Sequence, residues 1–565
     1  MAIYLQSPGV QIIEKDASAV TPGASSSVGG TTGVFKWGPV MTPMLIGNED
    51  QLLATFGPPD SQTYGSFFSC TNFLSYTSAL WVVRANTVNK NATADGAGIL
   101  IKNIGDYDMS FADGQASVGA FAARYPGIMG NSLTVSIADS ATFATWEYKG
   151  QFQSAPGTSE YTASKGGSND ELHVIVIDTL GKFTGTPGAT LERFAYVSKA
   201  LDAISFTGVS NYYENVLRNQ SQYIYWMDYP VGGTNWGVTA VATAFTSLVD
   251  TATAGYDFTY TMSGGTDQNT PTDSELQLGW DLLRNVETYD ISIFFVGNAS
   301  TILSKYVVDN IAETRKDAVL CISQVSSLGG PIFGTSPTRI TDAAAFKTAI
   351  GNSNYTIIDS GFKWMYDKYN DKNRWIALNS DVAGLCAKVD HNQDTWHSPA
   401  GFTKGQIRGA IKLSWNPNQS ERDELYKLSI NSVVSFIGQG TLLYGDKTAT
   451  LKPSAFDRIN VRRLFLILEK SISRSAKYNL FELNDAITRL QFVASVEPFL
   501  RDVQGRRGIA KFKVICDETN NTPQVVATNE FRATILILPV YSINFITLTF
   551  TAVGPNVSFE VAALA

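Results

Sequence analysis

The sequence predicts a multidomain protein of mixed α/β (α+β) class, on three observations. Its 565 residues exceed what one core organises, at a prior of roughly 100–200 residues per domain. From Ser274 onward, amphipathic stretches of helical period alternate with apolar strand-like runs, the order of a parallel or mixed sheet flanked by helices. Residues 88–262 are rich instead in Gly, Ser, Thr, Ala and Tyr, with short alternating runs, which suits a β-rich domain with frequent turns.

Taken in order, the first block, 1–87, opens with the extended segment Pro8-Gly-Val-Gln-Ile-Ile-Glu14. A tract of small residues, 17–32, then reads as a linker. Gly33-Val-Phe-Lys-Trp-Gly-Pro39 and Phe56-Gly-Pro-Pro59 read as turns, 64–76 as an aromatic-rich helix, and Leu80-Trp-Val-Val-Arg84 as a strand. In the middle block, 132–137 and His173-Val-Ile-Val-Ile177 read as strands. Beyond it come a helix over 275–286, a strand Ile291-Ser-Ile-Phe-Phe-Val296, a helix over 300–314 and a strand Ala318-Val-Leu-Cys-Ile322.

Near the C-terminus, Ala510-Lys-Phe-Lys-Val-Ile-Cys516 places Phe512, Val514 and Cys516 on one face and Lys511 and Lys513 on the other. The sheet it joins therefore has one wet side. Residues 533–554 carry no charge and are long enough to imitate a membrane span of about 20 residues. Pro539, Ser542 and Asn544 divide them, and Ile546, Leu548 and Phe550 alternate with Thr547 and Thr549. Two adjacent strands follow from that period, and no membrane helix.

Hydrophobic residues make up 44% of the chain, aromatics 12% and charged residues only 17%, below the usual quarter, so part of the surface is available for burial against partners. The net charge of −8 leaves no general basic footprint for nucleic acid or anionic lipid. Cys70, Cys321, Cys386 and Cys516 lie far apart without a CxxC pair and read as reduced, buried thiols. The N-terminus Met-Ala-Ile-Tyr-Leu lacks a basic n-region and an apolar h-region, so the product is expected to stay in the cytoplasm where it is made.

Candidate chemistry is sparse. Gly438-Gln-Gly440 and Gly445-Asp-Lys-Thr448 invite a phosphate-loop reading, but Asp446 stands between Gly445 and Lys447 and puts negative charge where phosphate would sit. A structural turn is the better account. His391 and His397, beside Asp390 and Asp394, match neither the i,i+4 pair of a metalloprotease nor a zinc-finger spacing. There is no Gly-x-Ser-x-Gly elbow. No catalytic, cofactor-binding or metal-binding residue is assigned.

Two other features call for partners. Between Asp457 and Lys477, six basic residues (Arg458, Arg462, Arg463, Lys470, Arg474 and Lys477) stand against two acidic ones, a local charge of +4. Val461, Leu464, Phe465, Leu468 and Ile472 recur at helical spacing, so a helix with an inward apolar face and an outward basic face is expected. At the chain's two ends, Val10, Gln11, Ile12 and Ile13 form one strand candidate, and Val557, Phe559 and Val561, alternating with Asn556, Ser558 and Glu560, form another.

One ordered set of motifs carries a resemblance. It comprises Lys368-Tyr-Asn-Asp-Lys-Asn-Arg-Trp375, Asp381-Val-Ala-Gly-Leu-Cys-Ala387, Trp396-His-Ser-Pro-Ala-Gly401, Tyr444-Gly-Asp-Lys-Thr448 and Phe456-Asp-Arg-Ile-Asn-Val-Arg-Arg-Leu-Phe465. It closely resembles the C-terminal part of the contractile tail sheath proteins of T-even-type myoviruses, over about 360–552. The first 87 residues resemble the same family through Ser7-Pro-Gly-Val10, Trp37-Gly-Pro39, Phe56-Gly57 and Val83-Arg-Ala85, and the middle through islands, Tyr125-Pro-Gly-Ile-Met-Gly130 and Ser263-Gly-Gly-Thr266. The motifs read as assembly surface. The chain looks shorter than its T-even relatives between 88 and 262, as if one inserted domain were missing.

What the resemblance implies is a discontinuous mixed-sheet core made from 21–87 and 263–450, with 88–262 as an inserted β-rich outer domain. Residues 451–565 would be an inner, tube-facing domain with a terminal strand extension, and 1–20 an N-terminal extension. Six copies would form a ring, and stacked rings a helical sleeve around the tail tube. Val10, Gln11, Ile12, Ile13, Val557, Phe559 and Val561 would exchange strands between subunits, and Arg458, Arg462, Arg463, Lys470 and Arg474 would face the tube. Contraction from a metastable extended state would drive the tube through the host envelope, with 17–32 as a hinge and no cofactor. The implied partners are further copies, the tube protein, and baseplate and terminator proteins, with no nucleic acid and no membrane contact. The implied location is the virion, after assembly in the host cytoplasm. From residues alone, another virion or injection-device subunit, or a carboxylate-dependent hydrolase, stays open.

Overall fold

The computed structural model describes residues 26–544 apart from 87, 231–232, 249–257, 269 and 327–329. The described residues form two compact units, one of 26–392 and 399–457, the other of 393–398 and 458–544.

In the larger unit a six-stranded sheet runs in the order Thr356–Asp359, Val319–Ser323, Ile293–Phe295, Gly29–Gly33, Leu80–Arg84, Pro43–Ile46. The first five strands are parallel and the last is antiparallel. Gly29–Gly33 takes Leu80–Arg84 on one side and Ile293–Phe295 on the other, so segments from both halves of the sequence close one sheet. Parallel strands covered on both faces are expected to read as unbroken apolar runs, and Leu80–Arg84 and Val319–Ser323 do.

Gly29–Gly33 does not, and the linker reading of 17–32 fails there: the strand is buried throughout. Aromatic rings supply what its side chains lack. Phe73 ring carbons lie 2.5 Å from where a Cβ on Gly29 would stand, and Phe294 comes within 2.7 Å of the same point on Gly30. Thr31 Oγ1 donates to the Phe295 carbonyl at 2.8 Å. The earlier part of the tract, up to residue 25, lies outside the described residues.

The helices follow the sequence period with shifted ends. The 64–76 stretch is the helix Tyr64–Leu74. The 275–286 stretch is Asp273–Asp281, opened by a reciprocal cap between Thr272 and Glu275. The 300–314 stretch is Thr301–Val307, continued through a π-turn at Val308–Ala312 into Glu313–Arg315.

In chain order between Leu80–Arg84 and Ile293–Phe295, a four-stranded antiparallel sheet runs in the order Ala189–Ser198, Glu171–Asp178, Leu133–Asp139, Thr259–Thr261. Val135, Val174, Phe194, Leu217, Trp226 and Trp236 belong to its core. A fully buried ion pair crosses it: Lys199 Nζ meets Asp139 Oδ2 at 3.0 Å, donates to the Asn169 and Thr246 carbonyls, and lies over the Trp236 ring. Burial lowers the lysine's pKa, and Asp139 opposes that shift.

In the smaller unit the helices Ile459–Lys477 and Ala486–Gly505 pack Leu464, Leu468, Phe492, Val496 and Leu500 into one cluster with Ile509 and Cys516. Ile509–Ile515 pairs antiparallel with Thr534–Pro539. Phe512 and Val514 pack on that cluster as expected, with Ile535 and Ile537 from the partner strand. The opposite face is solvent-exposed as expected, but it is not purely polar. Lys511 and Lys513 pair with Leu538 and Leu536, which are 49% and 52% exposed. The second strand expected within 533–554 lies outside the described residues. Among the described residues no helix is long and apolar enough to cross a membrane.

Candidate functional site

Lys368-Tyr-Asn-Asp-Lys-Asn-Arg-Trp375 is the turn and returning strand of a hairpin, Phe362–Asp367 against Lys372–Ala377. Asp367, buried, organises the turn: its Oδ1 accepts from the Tyr369 and Asn370 amides, and its Oδ2 from Asn370 Nδ2 and Arg374 Nε. Tyr369 Oη donates to Glu49 Oε1 at 2.9 Å, Lys368 Nζ lies 3.1 Å from Glu49 Oε2, and the Tyr369 ring stands edge-on to Phe67. The hairpin thus locks the C-terminal half onto the N-terminal helices Glu49–Phe56 and Tyr64–Leu74.

Asp381-Val-Ala-Gly-Leu-Cys-Ala387 opens the helix Asn379–Asn392, which is buried from Asn379 to Ala387. Asp381 Oδ1 accepts from Lys363 Nζ at 2.9 Å and from Tyr76 Oη at 3.1 Å. Burial raises the carboxyl's pKa, while Lys363 and Tyr76 pull it back. Lys363 also donates to the Arg408 carbonyl, and the Arg408 guanidinium lies over the Tyr76 ring. One turn on, a Cβ at Gly384 would overlap that same ring. Asp381 and Gly384 are therefore the polar and steric halves of one joint with Tyr76.

The N-terminal motifs have the same logic. Arg84, wholly buried, donates from Nε to the Phe35 carbonyl at 2.9 Å, from Nη1 to Gly38 at 2.7 Å, and from Nη2 to Lys36 at 3.3 Å and Pro126 at 2.7 Å. Val83-Arg-Ala85, Trp37-Gly-Pro39 and Tyr125-Pro-Gly127 are thus one clamp, which uses four of the five fixed donors of a guanidinium. Burial pulls Arg84 down to about 9, still cationic at neutral pH.

Gly445-Asp-Lys-Thr448 is a turn on Asn431: Lys447 donates its amide to Asn431 Oδ1 and accepts from Asn431 Nδ2. Its ammonium donates to the Tyr426 carbonyl at 3.0 Å and sits 3.7 Å from that ring's centre. These motifs were expected as assembly surface; Asp381–Ala387 and Arg84 are buried in the chain's own interior, whereas Lys368, Asp371, Lys372 and Asn373 of the hairpin motif are exposed.

The basic helix departs further from expectation. Arg458 is its half-buried N-cap residue, and every residue of Ile459–Lys477 from Ile459 to Leu464 is buried. Arg462 and Arg463 are 3% and 2% exposed, and Arg462 Nη2 lies 3.1 Å from Glu469 Oε2. The outward basic face therefore excludes these two, because the first turns have no outward side. Lys470 and Arg474 are half-buried and Lys477 is exposed. Val10, Gln11, Ile12, Ile13, Val557, Phe559 and Val561 lie outside the described residues. Ile509–Ile515 and Thr534–Pro539 form, among the described residues, a two-stranded sheet.

His173 is locked as the neutral form. Its Nδ1 accepts the Tyr196 amide and its Nε2 faces the Ser154 carbonyl at 2.9 Å, the ring stacks on Phe152, and burial lowers its pKa. All four cysteines are buried thiols. Among the described residues no three His, Cys, Asp or Glu side chains gather as a metal site would need.

Comparison with known proteins identifies what this interior scaffolding belongs to. Residues 255–449 match the phage tail sheath protein central domain and 451–552 the phage tail sheath C-terminal domain. The tail sheath protein of Enterobacteria phage T4 is 32% identical, over 98% of this chain and 99% of that protein. That of Salmonella phage ViI is 32% identical over 98% and 97%. The T4 alignment spans 663 positions against 565 residues here, so the relative is the longer chain. Among solved structures, a sheath tail protein from Listeria innocua superposes with a TM-score of 0.53 at 12% identity, covering 92% of this chain and 96% of that one. One from Desulfitobacterium hafniense gives 0.52 at 11%, covering 94% and 100%. The contracted sheath of an extracellular contractile injection system gives 0.51 at 13%, covering 97% and 98%. With a sheet closed by segments from both halves of the sequence, and 30–32% identity to tail sheath proteins along 98% of its length, this chain belongs to the contractile tail sheath protein family of bacteriophages.

Proposed function

We propose that the chain polymerises as six-subunit rings stacked into a helical sleeve around a tail tube, and that it contracts from a metastable extended packing to a lower-energy one. The observation that carries this is the 32% identity to the T4 tail sheath protein along 98% of the chain. Contraction needs rigid bodies joined by links, and the joints at Arg84, Tyr369 and Asp381 supply rigidity. An extra few hundred Å² buried per subunit, at about 25 cal/mol per Å², favours the contracted state by several kcal/mol without nucleotide or cofactor. No catalytic role is assigned.

In this reading 88–262 faces outward and 451–565 faces the tube, whose acidic surface meets Lys470 and Arg474. Val10–Ile13 and 557–561 add to the open edges of a neighbour's Ile509–Ile515 and Thr534–Pro539 sheet. The hinge expected over 17–32 does not include the buried strand Gly29–Gly33, and residues 17–25 lie outside the described residues. Baseplate and terminator proteins bound the sleeve, and assembly in the host cytoplasm delivers it to the virion. Deleting 1–15 or 556–565 tests the links. Folded monomers that fail to form long sheaths in electron micrographs are expected, and sheaths of normal length from both truncations would overturn the strand exchange.

A further inference from the structure

In the smaller unit, the connection between the helices Ile459–Lys477 and Ala486–Gly505 turns its apolar side chains outward. Tyr478, Leu480, Phe481, Leu483, Ile487 and Leu490 are 79%, 62%, 104%, 79%, 65% and 69% exposed. On the second helix Phe492, Val496 and Leu500 enter the unit's core, whereas Ile487 and Leu490 at its start stay outside it.

Hydrogen bonds fix this display. Asp485 caps the second helix by accepting the Thr488 amide at 2.8 Å. Buried Arg489 donates from Nε to Asn484 Oδ1 at 3.0 Å, and Asn484 Nδ2 donates to the Glu530 carbonyl at 2.7 Å. Phe481 has φ +70°, a left-handed backbone that a bulky side chain adopts only at a cost. Within the folded chain nothing offsets that cost, because the ring is left in water. Across 477–491 the charged residues are Lys477, Glu482 and Asp485, all exposed, and Arg489. Glu530, beside the tip, is paired with Arg532 at 2.5 Å.

We propose that this tip docks head to tail on a neighbouring copy of the chain, against a surface other than the neighbour's own tip. Three considerations select that occupant. At ~100 Å² per exposed side chain the tip offers on the order of 600 Å², the upper end of what monomers leave exposed and close to the ~800 Å² per partner of a standard interface. Head-to-tail contacts generate rings and helical stacks of identical subunits without a two-fold axis, so two tips need not meet. A tail tube is the weaker occupant, because the sleeve shifts along it in contraction and an apolar grip of this area would have to break. A membrane is disfavoured because surface-seeking helices set their apolar side against Lys and Arg, and two of the three exposed charges here are acidic. The proposal rests on the sheath reading for the lattice in which the copies meet.

The test uses the full-length chain. All four native cysteines are buried, so Leu483→Cys places a benzophenone maleimide on the tip alone. Polymers formed with and without purified tubes are irradiated, and mass spectrometry maps the adducts. Adducts between two copies, landing outside 478–490 and independent of the tube, are expected. Phe481→Asp, at a fully exposed position, should raise the critical concentration for polymerisation at least tenfold with the thermal midpoint unchanged. Adducts to the tube protein, adducts between two tips, or no adduct together with normal polymerisation of Phe481→Asp overturn the proposal. If the unmodified chain forms no polymer, the sheath reading fails by itself. The tip is then judged by sedimentation: concentration-dependent association that Phe481→Asp abolishes supports it, and a monomer at all concentrations overturns it.

Discussion

Lys363 and Asp381, 18 residues apart, meet at 2.9 Å with neither side chain exposed to solvent. Removing one partner of such a pair leaves a buried charge uncompensated, which costs about 3–5 kcal/mol, whereas removing both costs much less. Lys363→Met and Asp381→Leu should each lower the urea midpoint strongly. The double variant should recover most of the loss, and a double-mutant cycle on the purified chain reads the coupling.

Gly384 faces the ring of Tyr76 across the same joint, with no room for a Cβ. Gly384→Ala should destabilise by about 1–3 kcal/mol through overpacking, despite alanine's better helix propensity. Combining it with Tyr76→Leu should return part of that loss. Equal stability of Gly384→Ala and the unmodified chain, by thermal unfolding, would mean that the helix shifts freely against Tyr76.

These joints explain what the sequence disclosed and what it hid. Leu80–Arg84 was legible because its apolar run announces a strand buried on both faces. Gly29–Gly33 was illegible because its burial depends on Phe73 and Phe294 filling the space above glycine, a property of distant residues. The basic helix was legible as a helix, but period alone does not say that both sides of its first turns are covered, so Arg462 and Arg463 were misplaced. The apolar tip from Tyr478 to Leu490 reads in sequence as the ordinary end of an amphipathic helix. Nothing in a linear pattern separates an apolar residue in the core, such as Phe492, from an exposed one, such as Phe481.

Glu214 gives a pH dependence whose sign is fixed. Burial lifts its carboxyl from 4.5 to about 7, against hydrogen bonds from Tyr212 and Tyr229; Tyr212 Oη donates to Oε1 at 2.5 Å. The folded state therefore binds a proton that the unfolded state releases between about pH 4.5 and 7. The group's stabilisation is fully present below about 4.5 and is lost as pH rises through about 7. Glu214→Gln removes that loss. It should match the unmodified chain near pH 4.5 and exceed it by about 1–2 kcal/mol at pH 8, a figure discounted for partial exposure. Parallel denaturation curves at the two pH values check this, and a constant difference between the chains would exclude Glu214 as the titrating group.

Lys470 and Arg474 now carry the charge-reversal test that the sequence would have placed on Arg462 and Arg463. Reversing the buried pair would unfold the smaller unit, because Arg462 is already ion-paired with Glu469 at 3.1 Å and 3% exposed. Such a variant reports on folding and says nothing about a tube. Lys470 and Arg474 lie further along the same helix and are half-buried, so their reversal to Glu should cost less folding free energy than reversal of the buried pair, as urea unfolding of the two variants reads. If this face meets an acidic tube, co-sedimentation of the Lys470→Glu/Arg474→Glu chain with purified tubes should drop severalfold. The unmodified chain's binding should weaken as salt rises from 50 to 500 mM, because exposed pairs are screened over a Debye length of about 10 Å at 0.1 M. Undiminished co-sedimentation of the reversed chain, with normal salt dependence, would move the tube contact off this helix.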